Sequence, residues 1–81
     1  MAKSLDRIEF YEQLDKCKST KEIEDLIDII DNEELYAVIL DKYQQILEFN
    51  RNKNDDKLVK DIIKILQFTY LNFERKHQNE E

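Results

Sequence analysis

Apolar residues recur three and four positions apart along nearly the whole chain, which is the spacing of one face of an α-helix. Three short polar stretches interrupt the pattern, so it predicts four helices. The first is expected from about Ser4 to Lys18, with Leu5, Ile8, Tyr11, Leu14 and Cys17 as its inward stripe. The second follows the capping signature Ser19-x-x-Glu22, in which a serine oxygen accepts from the first free backbone N–H groups. It runs from about Thr20 to Ile30 and turns Ile23, Leu26, Ile27 and Ile30 inward.

Asp31 or Asn32 caps the third helix, and Glu33 and Glu34 suit the positive end of its dipole. That helix is expected to reach about Asn50 with two adjoining stripes. One holds Leu35, Val38, Ile39, Ile46 and Phe49; the other holds Tyr36, Leu40, Tyr43 and Leu47. Asn54 or Asp55 caps the fourth, expected from about Asp55 to Arg75. Its main stripe is Val59, Ile62, Ile63, Leu66, Tyr70 and Phe73, with Ile65, Phe68 and Leu71 partly outside it. Short links make consecutive helices antiparallel neighbours. The expected fold is all-α, a compact three- or four-helix bundle with short polar loops. Residues 1–76 form one domain in this reading, and 77–81 a flexible polar tail.

Composition supports helices and removes several chemistries. The 81 residues include no Gly and no Pro, the residues on which tight turns and strand connections depend. Gly-rich phosphate loops are excluded for the same reason. Preference for Ile, Lys, Asn, Phe and Tyr over Ala, Arg, Gly and Pro is that of AT-rich genes, such as phages and plasmids carry. The single Cys17 permits no internal disulfide, which fits a reducing compartment. Met1 to Ser4 are followed by no apolar run, so neither a signal peptide nor a membrane span is expected. The expected location is the cytoplasm.

No residue set suggests catalysis. Cys17 continues an apolar stripe, and packing outweighs reactivity for such a thiol. Glu74 and His77 make one E-x-x-H unit, whereas di-iron carboxylate bundles need two such units plus two more glutamates. His77, the only imidazole, sits near the chain end, where a nucleophile–base pair would lack support. The run from Asp28 to Glu34 lacks the spacing and Gly of a calcium loop. A non-enzymatic protein without metal or cofactor is the expectation.

Charge is more informative. Residues 1–40 hold eleven acids and five bases, while residues 41–81 hold eight of each. From Glu22 to Asp41 there are eight acids and no base. Such a single-sign field steers basic partners, and Glu24, Asp25, Asp28 and Asp31 are the expected contacts with a partner protein. Lys57, Lys60 and Lys64 share one face of the fourth helix, with Arg51 and Lys53 just before it. These five define a nucleic-acid contact as the alternative, in an accessory domain of a replication, repair or recombination system. Interleaved Asp55, Asp56 and Asp61 would keep that contact weak. The aromatic stretch around Phe68, Tyr70 and Leu71 suggests self-association into a homodimer, because aromatics are enriched at interfaces.

One region resembles a known family. Leu14-Asp15-Lys16-Cys17-Lys18-Ser19, Ile23-Glu24-Asp25-Leu26-Ile27-Asp28 and Asp31-Asn32-Glu33 are similar to the first two helices of the Hha/YmoA family, small helical modulators of H-NS-type nucleoid proteins. The similarity covers about a quarter of the chain. The link before Asp31 is shorter than the family's, and no tryptophan motif follows. The resemblance implies an acidic surface meeting a basic, DNA-associated regulator. Bacteriocin-immunity proteins are also small helical bundles, so neutralising a toxin is a further expectation.

Overall fold

A computed structural model describes residues 6–50 and 54–78. It contains four helices: α1 (Arg7–Asp15), α2 (Thr20–Asp28), α3 (Glu33–Phe49) and α4 (Asp55–Gln78), with no strand among the described residues. Each helix begins at a residue whose short side chain accepts from a backbone N–H three positions on. Asp6 accepts from Glu9 at 2.8 Å, Ser19 from Glu22 at 3.3 Å, Asn32 from Leu35 at 3.0 Å, and Asn54 from Lys57 at 3.0 Å. Each bond satisfies one of the donors that a helix start leaves open.

The helices close into a ring: α1 packs on α2, α2 on α3, α3 on α4, and α4 back on α1. The α1–α4 seam is antiparallel, because Arg7 pairs with Glu74 at 3.3 Å while Asp15, at the other end of α1, accepts from Gln67 at 3.0 Å. Between them, the Tyr11 hydroxyl donates to the Gln67 carbonyl at 2.6 Å. The Phe10 and Tyr70 rings lie 5.1 Å apart, and Tyr11 meets Tyr70 edge-on at 6.4 Å. The core runs through all four helices and includes Phe10, Leu14, Ile23, Ile27, Ile39, Ile62 and Leu66. At 1.5 Å per residue α4 is about 36 Å long and accounts for most of the molecule's 42 Å long axis.

The architecture agrees with the sequence reading; several inward assignments do not. In α1 the buried positions are Phe10 and Leu14, with Cys17 buried just beyond its end, while Ile8 is exposed. Two stripes compete there, and the one carrying the larger Phe10 ring meets Tyr70. Leu5 and Ser4 lie outside the described residues, and α1 is shorter at both ends than expected. In α3 Tyr43 is buried, whereas Val38 and Phe49 are exposed. Leu58 is an additional core residue of α4.

The fourth helix also continues past its expected end, through His77 and Gln78. His77 is half-buried rather than loose. Its Nε2 lies 3.2 Å from a Glu34 carboxylate oxygen, and its ring stacks at 4.1 Å on Phe73. This joins the C-terminal end of α4 to the start of α3, so that seam is antiparallel as well.

Candidate partner-binding faces

The acidic face is built by α2 and the first turn of α3. Burying Ile23, Leu26, Ile27 and Ile30 forces the intervening positions outward, because neighbouring residues on a helix diverge by 100°. Glu22, Glu24, Asp25, Asp28, Asp31, Glu33, Glu34 and Asp41 are all exposed. Lys21 approaches Asp25 at the near edge, at 3.9 Å with both side chains largely in water. Exposed pairs of this kind contribute little; with Lys16 beside Asp25, and Lys76 and His77 beside Glu33 and Glu34, the face is acidic with cations at its edges.

Of the four expected contacts, Asp25, Asp28 and Asp31 are exposed carboxylates, and Glu24 has a second task. Tyr43 of α3 donates its hydroxyl to a Glu24 oxygen at 2.8 Å and lies 3.3 Å from the Thr20 carbonyl. The shorter contact, to a charged acceptor, is the stronger. Burial first, then this bond to Glu24, pushes the Tyr43 hydroxyl well above the ordinary tyrosine range. Glu24 therefore ties α2 to α3 and helps to hold the acidic face rigid.

An apolar element sits within the face. Ile29 is 57% exposed between Asp25, Asp28 and Asp31. It borders a shallow cleft of about 350 Å³ that Gln13, Lys16, Cys17, Glu22, Asp25 and Leu26 also line. The signal is present in the sequence: Ile29 and Ile30 are adjacent, and only one of two adjacent positions fits the inward stripe. Cys17 is buried at the bottom, its Sγ 3.4 Å from the Gln13 carbonyl. Burial raises the thiol's pKa, and the charges of Glu22 and Asp25 raise it further. The reactive thiolate is disfavoured there.

A second face lies on α4. Lys57, Lys60 and Lys64 are all exposed; Arg51 and Lys53 lie outside the described residues. Further along the helix, Phe68 is 64% exposed and Leu71 half-buried. Tyr70 is buried in the core against Phe10 and Tyr11, which corrects its assignment to self-association.

A third feature is a groove of about 550 Å³ between α3 and α4. Ala37, Val38, Thr69, Asn72 and Phe73 line it, with Glu34, Lys42, Lys76 and His77 around the rim. Among the described residues no group of three His, Cys, Asp or Glu could hold a metal ion, and no helix is long and apolar enough to cross a membrane. No protein-family model, curated protein or solved structure matches the chain.

Proposed function

We propose that this protein is a non-enzymatic binding module that docks the acidic α2–α3 face on a basic surface of a partner protein. One observation carries the reading: all eight acids from Glu22 to Asp41 are exposed, no base interrupts them along the chain, and Ile29 is exposed beside Glu22 and Asp25. A solvated face needs charge alone. An exposed isoleucine beside Glu22, Asp25 and Lys16, on a mostly acidic face, supplies the apolar anchor and polar rim of a protein interface. The carboxylates speed encounter with a basic partner, and Ile29 contributes to retention once docked. Glu24 and Tyr43 hold the platform in place without direct contact. A DNA-associated protein is the basic partner best suited to such a face, since its DNA-binding surface has the complementary charge.

The test is an NMR titration of the labelled full chain with a helical Lys/Arg-rich peptide carrying one exposed leucine. Amides of Asp25, Asp28, Ile29 and Asp31 should shift, and the Asp25→Lys, Asp28→Lys double variant should lose the response. Ile29→Ser should weaken binding without altering its dependence on salt. Shifts confined to Lys57, Lys60 and Lys64 on adding DNA, with none from the peptide, would replace this reading by nucleic-acid contact.

A further inference from the structure

Resting on the acidic-face docking proposed above, we infer that the cleft between α1 and α2 reads an ordered pattern on a partner helix. The pattern is two cations one turn apart, an apolar side chain one turn further on, and no cation on the flank that faces α1. The cleft, about 350 Å³, has two unlike walls. Glu22, Asp25 and Ile29 form the α2 wall, and Gln13 and Lys16, at the C-terminal end of α1, form the other. Cys17 and Leu26, both buried, make the floor.

The α2 wall is a single line. Its residues step by three and four positions, so they share one side of the helix over about 10 Å. The order along it is carboxylate, carboxylate, isoleucine. Among the described residues the Glu22 carboxylate is in no ion pair, and Asp25 meets Lys21 at 3.9 Å with both side chains largely in water. A pair so exposed is readily exchanged for a partner's cation. A second helix matches the wall, because its own positions i, i+3 and i+7 lie on one side over the same length.

The floor selects the anchor. The Cys17 thiol donates to the Gln13 carbonyl at 3.4 Å, so no unpaired polar atom faces an incoming group. A polar side chain seated there would lose its water without gaining a bond, whereas an apolar one is covered by Ile29, 57% exposed at the rim. Lys16 then sets the polarity across the cleft. It stands opposite the acidic wall, and among the described residues no carboxylate pairs with it. A partner with lysines on both flanks meets like charge there, while a glutamate on that flank meets the ammonium. The cleft thereby separates a folded, one-sided basic helix from basic chains in general, which satisfy the carboxylates and leave the floor empty.

The experiment measures the affinity of the full chain for three helical peptides of one length, by fluorescence anisotropy at about 150 mM salt. The first carries Lys-x-x-Lys-x-x-x-Leu or its reverse, whichever binds more tightly, with a glutamate on the flank that faces α1. The second has the same composition with its leucine moved two residues along, which turns that side chain about 200° away. The third replaces the glutamate by lysine. The second should bind about tenfold or more weaker than the first, and the third about threefold weaker despite its greater positive charge. Lys16→Glu, at an exposed position, should reverse the order of the first and third with unchanged helical circular dichroism. Equal binding of the first two would overturn the inference and leave the acidic face docking by charge alone. A third peptide that binds the native chain more tightly than the first would overturn it as well. No binding of any of the three would remove the docking reading together with this one.

Discussion

The α2 face and the α3–α4 face are made from the same few residue types and have opposite properties. Both leave isoleucine or phenylalanine in water, Ile29 on the first and Val38, Phe49, Ile65 and Phe68 on the second. Around Ile29 the charges are mostly acidic, Glu22 and Asp25 against Lys16; around the α3–α4 groove they are mixed, Glu34 against Lys42 and Lys76. A mostly acidic rim disfavours a second copy and favours an oppositely charged protein. Partner choice in a small bundle therefore lies less in its apolar anchors than in the charges that border them.

The largest way to break this contrast is to remove the support of α2. Ile23 is fully buried beneath the acidic face, and Ile23→Ala should cost about 2–5 kcal/mol. Thermal or urea unfolding followed by circular dichroism measures this, and a loss below about 1 kcal/mol would mean that α2 is not part of the cooperative core. A sharper cut leaves the fold intact. Asp25→Lys with Asp28→Lys should slow association with a basic peptide by about 10- to 100-fold. Stopped-flow kinetics measures this, and an unchanged association rate would remove the acidic face from partner recognition.

Tyr43 links the platform to the rest of the bundle, and its removal is a smaller test. Tyr43→Phe should cost about 1–1.5 kcal/mol, since the hydrogen bond to Glu24 is charge-assisted but Glu24 itself reaches water. Burial raises the pKa of Tyr43 first, and the Glu24 bond adds to it; burial is also the leading cause of the upward shifts at Tyr11 and Tyr70. A raised folded-state pKa means that the native chain holds its proton longer than the unfolded one. Stability from these hydroxyls is therefore complete below about pH 10 and falls as pH rises further. An alkaline unfolding titration should show that fall, and Tyr43→Phe should make it shallower. A flat profile to about pH 12 would contradict the assigned hydroxyl environments. The smallest effect is expected at the cap: Ser19→Ala should cost about 1 kcal/mol, readable as faster amide exchange in the first turn of α2.

How legible each region is in the sequence follows from how many inward stripes compete. In α2 a capped start and one stripe, Ile23, Leu26, Ile27 and Ile30, leave a single solution, so its buried and acidic faces both follow from spacing. In α1 two stripes share Leu14, and only packing against Tyr70 selects Phe10 over Ile8. In α3 the apolar arc exceeds one face, so spacing cannot decide between Tyr43 and Val38. Contact with Glu24 and Thr20 turns Tyr43 inward. The end of α4 is illegible for a different reason: His77 is held by Glu34, a residue 43 positions away, and no local pattern encodes that pairing.

The central claim is that the acidic face, and not the lysine stripe of α4, meets the partner. It is tested most directly by titrating one labelled sample with the basic helical peptide and another with single-stranded DNA, both at about 150 mM salt, where exposed charges are screened beyond roughly 8 Å. Shifts are expected at Asp25, Asp28, Ile29 and Asp31 with the peptide, and an unmoved spectrum with DNA. Shifts at Lys57, Lys60 and Lys64 with DNA, and none with the peptide, would contradict it.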